Sequence, residues 1–174
     1  MKGFTLIEVL VVAAITVMLT GFLIASFSRS RLDMNQVAAM MTDAIREAQA
    51  DALSGSLVRG TFRCGYGVHF DAGGYTIFAG PDASQPGVDC SAGRTYAGQG
   101  ISAVSSALLP DPTLEIIQPV PDIFFEPPDP TTYIGGSSAP GTAVTINVHV
   151  KGAACPGTDC RSIHVSTSGL IELQ

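Results

Sequence analysis

The run FTLIEVLVVAAITVMLTGFLIASF, Phe4 to Phe27, carries a single charged side chain, Glu8. At 1.5 Å per residue, a helix of this length reaches about 36 Å, more than a hydrocarbon core of about 30 Å. It is too long for the apolar part of a secretory signal, and no A-x-A-like cleavage site follows it, so it is expected to stay as an anchor. A carboxylate in such a helix costs roughly 2.5–3.5 kcal/mol on insertion scales. Glu8 therefore either sits at headgroup level or pairs with a cation on another subunit. Only Met1, Lys2 and Gly3 precede the run. Cleavage after Gly3 would create such a cation, the amino group of Phe4.

Beyond Phe27 the pattern turns amphipathic without a break. Leu32, Val37, Met41, Ile45, Ala48 and Ala52 recur at helical spacing, while Arg31, Asp33, Asp43, Arg46, Glu47 and Asp51 fill much of the remaining surface. No Pro or Gly lies between Gly21 and Gly55. One helix from about Phe4 to Leu53 is expected, with Gly55 as its stop. The periodicity then shifts towards two. Tyr66–Phe70, Asp71–Gly74 and Tyr75–Ala79 read as a hairpin whose glycines supply positive φ angles. Leu114–Gln118, Asp122–Glu126, Val144–Val150, Ser162–Ser166 and Leu170–Leu173 are further strands. Pro81–Gly98 and Pro127–Pro140 read as surface loops. The fold class is α+β, with one long N-terminal helix, part transmembrane and part amphipathic, packed on an antiparallel β-sheet or small β-sandwich. The expected divisions are 1–3, 4–28, 29–54 and 55–174: a leader, a transmembrane helix, its amphipathic continuation and a β-rich globular domain.

The 174 residues are 46% hydrophobic and 14% charged, with a net charge of −6. Setting aside Lys2 and Glu8 leaves 8 basic and 14 acidic side chains out of 9 and 15. A sequence-independent nucleic-acid binder needs the opposite field, so nucleic acid is not an expected partner. Four cysteines behind an anchor, Cys64, Cys90, Cys155 and Cys160, read as two disulfides in an oxidising compartment. Of three connectivities the spacing favours Cys155–Cys160, across a Pro-Gly turn, which leaves Cys64–Cys90. Four buried thiols, or a zinc site of His149, His164 and Cys155/Cys160, are the alternatives.

No enzyme is expected. His69, His149 and His164 fall on apparent strands among apolar or β-branched neighbours, and no Gly-x-Ser-x-Gly elbow, P-loop or His-Glu-x-x-His occurs. Acidic residues in Asp82–Asp89 and Asp111–Asp129 lack EF-hand spacing for calcium. No cofactor is expected either.

Lys2-Gly-Phe-Thr-Leu-Ile-Glu8, followed by an apolar helix, resembles the N-terminal methylation motif of type IV pilins and type II secretion pseudopilins. The resemblance implies cleavage between Gly3 and Phe4 by a prepilin peptidase and N-methylation of Phe4. It further implies that Glu8 neutralises the Phe4 amine of a neighbouring subunit. The implied partners are that peptidase, other pilin or pseudopilin subunits and an inner-membrane assembly platform. The implied location is the inner membrane, single-pass, with the N-terminus cytoplasmic and the globular domain periplasmic, and later a periplasmic or cell-surface filament. Many major pilins carry a proline midway along this helix, whereas this chain has only Gly21 as a weak point. The hairpin, with Tyr66-Gly-Val-x-Phe70 and Gly73-x-Tyr75, and the terminal stretch Ile163–Leu173 are most similar to the GspH/FimT group of minor pseudopilins and minor pilins. The expected role is a minor, filament-priming subunit; a major pilin and a DNA-uptake pilin are the alternatives. Some members of the group end in a basic Gly-Arg-x-Arg segment linked to DNA uptake, where this chain has Gly169-Leu-Ile-Glu172.

Overall fold

A computed structural model describes residues 6–174, with the side chains of 6–21 and 34–174. It divides into two compact units, Met1–Asp33 and Met34–Gln174. Helix α1 covers Leu6–Ser54. Within the second unit its inward stripe is Met34, Val37, Ala38, Met41, Ala44, Ile45, Ala48 and Ala52, all buried. The expected stripe had the right period but missed Met34, Ala38 and Ala44, and Leu32 lies outside the described side chains. Full burial of a Met or Ile side chain contributes about 2–3 kcal/mol, so this half of α1 is held mainly by its packing. Thr42 is buried among these apolar groups, and its hydroxyl donates to Ala38 O at 2.8 Å.

The helix ends where expected. Gly55 takes φ +62°, and Ser56 N–H donates to Asp51 O at 3.2 Å. That six-to-one bond reverses the chain after the last turn, and it needs a left-handed residue that glycine supplies without strain. Asp51 also accepts the Ser56 hydroxyl at 3.0 Å.

Eleven strands follow, all paired antiparallel. A two-stranded ribbon joins β1 (Leu57–Val58) and β2 (Thr61–Phe62). Then come β3 (Tyr66–Asp71), β4 (Gly74–Ala79), β5 (Ser102–Leu108), β6 (Leu114–Ile116), β7 (Ile123–Glu126) and β8 (Thr131–Ile134). The chain closes with β9 (Ala143–Val150), β10 (Cys160–Ser166) and β11 (Ile171–Leu173). One sheet has the order β5-β4-β3-β7-β8 and the other β11-β10-β9-β6. Rungs such as Val68↔Ile77, Tyr66↔Phe125, Ile163↔Ile146 and Val165↔Val144 turn apolar side chains inward. These form one core with the α1 stripe. The α+β class, a helix on antiparallel sheets, is therefore what the domain shows.

Three expectations need correcting. The hairpin β3–β4 forms, with Asp71↔Gly74 as its last rung, but neither Gly73 nor Gly74 has a positive φ. Gly74 is there for space instead. A Cβ on it would lie 2.3 Å from Ala107 O on the neighbouring strand. Next, β8 lies inside Pro127–Pro140, which had been read wholly as loop, and β5 was not expected at all. Its sequence, SAVSSAL, has few strand formers, and most of it is exposed. Finally, the strand expected over Leu114–Gln118 stops at Ile116.

Candidate functional site

The first unit holds the residues that the sequence marks for assembly. Apolar side chains of Leu6, Ile7, Val9, Leu10, Val11, Val12, Ile15, Val17, Met18 and Leu19 are 52–80% exposed. At about 100° per residue these positions go round the whole circumference, so no side of the helix is a polar face. The threonines bond back to the helix's own carbonyls. Thr16 donates its hydroxyl to Val12 O at 2.9 Å, and Thr20 donates to Thr16 O at 2.6 Å. Such bonds to the preceding turn let a threonine enter an apolar medium without an unmet donor.

Glu8 interrupts this surface. Its carboxylate is exposed and has no ion-pair partner among the described residues. Val9, Val12 and Ala13 line a hollow beside it. Gly3 and Phe4, the expected cleavage pair, lie outside the described residues, as does Lys2. Among the described residues no helix is long and apolar enough to cross a membrane. The described side chains of the apolar run, 6–21, reach about 24 Å, and the remainder of the expected segment 4–28 lies outside them.

In the second unit, Cys64 is bonded to Cys90 and Cys155 to Cys160. The second bond removes both thiolates from the zinc alternative. The β9–β10 register also sets His149 opposite Cys160 but His164 opposite Thr145, four rungs away. His149 instead lies 3.1 Å from Glu115 through Nε2 and 2.7 Å from Ala153 O through Nδ1. Among the described residues no His, Cys, Asp and Glu group is placed to hold a metal ion. The loop aspartates are occupied locally. Asp82 accepts from the Ser84 hydroxyl at 2.5 Å, Asp89 from Ser91 at 2.6 Å, and Asp111 from Thr113 N–H at 2.8 Å. These bonds favour the ionised form and hold all three carboxyls below the usual aspartate range.

A cluster that sequence reasoning missed lies on the outer face of the five-stranded sheet. Segment 81–100 crosses that face as a strap, pinned at one point by Cys64–Cys90. His69 of β3 lies with Nδ1 2.6 Å from Asp122 and Nε2 3.3 Å from Asp71, and its ring stacks on Tyr96 at 4.6 Å. Tyr96 N–H donates to the other Asp122 oxygen at 2.8 Å. Arg94 reaches Glu126 at 2.8 Å and lies 3.9 Å over the Tyr133 ring. Beneath the strap, Phe78 and Phe124 are fully buried and stacked at 5.9 Å. The cluster fastens the strap. Only the alternation of Phe78 and Phe124 with inward-facing Ile77 and Phe125 could have signalled a sheet covered on both faces.

Compared with known proteins, the chain matches no family model, no curated protein and no solved structure.

Proposed function

We propose that the chain is a minor pilin or pseudopilin, a membrane-anchored subunit that assembles into or primes a type IV pilus-like or type II secretion filament. The observation that carries this reading is the helix surface around Glu8: apolar on every side and broken by one carboxylate. A surface of that kind is stable in lipid or against other helices of its own type, and exposed to water it aggregates. In this reading Gly3–Phe4 is the processing site, and the helix of the first unit supplies the surface through which subunits pack. The globular domain lies in the periplasm, where its two disulfides persist. The work is positional: helices pack, Glu8 meets the Phe4 amine of a neighbour, and no bond is turned over.

Glu8→Val tests it. The variant is expected to insert in the membrane as the native chain does, while its incorporation into filaments falls at least tenfold, about 1.4 kcal/mol per subunit contact. Incorporation equal to that of the native chain would overturn the pairing. Mass spectrometry of the mature N-terminus is expected to begin at methylated Phe4, and Gly3→Leu is expected to retain Met1.

A further inference from the structure

Between the β1–β2 ribbon and the strap lies a hollow of about 460 Å³, with charges of both signs on its walls. Arg59 and Arg63 stand on the ribbon side, Asp82 and Asp89 on the strap side. Arg59 and Gly60 form the two-residue turn between β1 and β2, with φ +54° and +80°. Such a turn favours Asn or Gly at its first position, because elsewhere a Cβ crowds the backbone. Arg59 is the one non-glycine residue with positive φ among the described residues. Backbone strain of this kind collects at ligand sites. Arg63 is under-used in a second way. Its Nε is buried without a hydrogen-bond partner, and its two amino groups reach Gly80 O and Val58 O only at 3.5 and 3.4 Å. A well-made bond of this type spans about 2.7–3.2 Å. Asp82 lies opposite Arg63 across an isolated bridge, yet the two form no ion pair. Asp82 accepts instead from Ser84 and Gln85, and Asp89 from Ser91.

We propose that this hollow binds a peptide carboxylate, an Asp or Glu side chain or a C-terminus, on the guanidinium groups of Arg59 and Arg63. Charge selects the ligand. A guanidinium fork matches a carboxylate with two parallel bonds. A single negative charge meets the two arginines without crowding the ionised Asp82 and Asp89. A phosphate or a nucleic acid would bring further charge up to those carboxylates. The hollow also has room for more than a carboxyl group. Side-chain amides of Gln85 and Gln99 line it and suit peptide N–H and C=O groups, which a simple anion lacks. The site lies wholly within the second unit, so it stands or falls independently of Glu8.

The test uses the full chain in detergent, with nitrogen-15-labelled arginine. The Nε–H of Arg63 is shielded from water, so its signal can be followed. The probes are acetyl-Ala-Glu-Ala-amide, its Gln analogue, acetyl-Ala-Ala-Ala with a free C-terminus, and inorganic phosphate. A carboxylate peptide is expected to move the signal saturably, with the Gln analogue and phosphate each about tenfold weaker. The tighter of the two carboxylate peptides names the source. Arg59→Gly should weaken binding about tenfold while Tm holds or rises, because glycine suits φ +54°. Equal binding of the Glu and Gln peptides would overturn the site, as would phosphate binding as tightly as the peptide. So would an Arg59→Gly variant that binds as the native chain does. A fall in Tm on Arg59→Gly would show that Arg59 serves the fold, and would overturn it too. None of these outcomes bears on incorporation into filaments, which Glu8→Val reads.

Discussion

Gly73 and Gly74 stand side by side in the β3–β4 turn, and alanine at each should act in opposite directions. At Gly74 an added Cβ would lie 2.3 Å from Ala107 O and 3.1 Å from Leu108 Cα. Both are backbone atoms of β5, so no rotamer change relieves the overlap. A carbon–oxygen contact settles near 3.3 Å, so β4 and β5 must part by about 1 Å at this rung. Overpacking of that kind costs about 2–3 kcal/mol. At Gly73 nothing lies within 4 Å and φ is not positive. Alanine there only narrows the unfolded ensemble and stabilises by about 0.5 kcal/mol. The two variants should differ by about 3 kcal/mol, or roughly 9 °C in Tm at about 3 °C per kcal/mol. Urea titration of the full chain in detergent, with both disulfides intact, reads this as a shift of midpoint at constant slope. If Gly73→Ala costs as much as Gly74→Ala, the glycines are needed for conformation after all, and the space argument fails.

The remaining predictions concern the strap and the loops. Replacing Cys64 and Cys90 together by serine opens a loop of sequence separation 26 and should cost about 3.5 kcal/mol in the chain-entropy model, read by the same titration. Arg94→Ala removes a half-buried ion pair with Glu126 and the contact over Tyr133, together worth about 1.4 kcal/mol. Amide hydrogen exchange at Tyr96 should then accelerate about tenfold, with core amides of β9 unaffected. Acid should loosen the loops, because Asp82, Asp89 and Asp111 have folded pKa values below their ordinary value. Their contribution is whole above the ordinary aspartate pKa and fades as pH falls through the lower folded values, so pH 5 to 8 should change nothing through them. Ser91→Ala, which removes the largest cause at Asp89, should move that carboxyl back up in a carbon-13 titration.

What could be read ahead of the structure followed periodicity. The α1 stripe repeats every three to four residues, and the strands at Ile123–Glu126 and Ala143–Val150 carry β-branched or aromatic residues at high density. Each such segment proclaims its own conformation, and each was located to within a few residues. What could not be read was set by distant partners. β5 is a strand because β4 offers it a ladder, since its serines and alanines have little strand preference of their own. The reason for Gly74 likewise sits on a strand more than thirty residues downstream. Glu8 and its apolar surroundings were plain from one segment alone, whereas Phe4, whose amine is expected to meet the Glu8 of a neighbour, lies outside the described residues.

The strap marks the deeper boundary between the two kinds of information. Tyr66-Gly-Val-His-Phe70 reads as an alternating strand with one wet face, because Gly67 and His69 fall on the side away from Tyr66, Val68 and Phe70. In the structure that side is also covered. Gly67 is flanked by Phe78 and Phe124 in the register, and His69 is closed over by Tyr96 and held by Asp122. A glycine and a histidine can line a second, smaller core only if aromatic rings from other strands fill the space and carboxylates meet the imidazole. Those rings and carboxylates come from positions 78, 96, 122 and 124, which no local pattern ties to position 69. Pro81–Gly98 was legible as a loop rich in Gly, Pro and Ser, and it contains no strand, although a 3-10 turn forms over Cys90–Gly93. Its task of sealing a sheet face became visible only through Arg94 on Glu126, Tyr96 on Asp122 and Cys90 on Cys64.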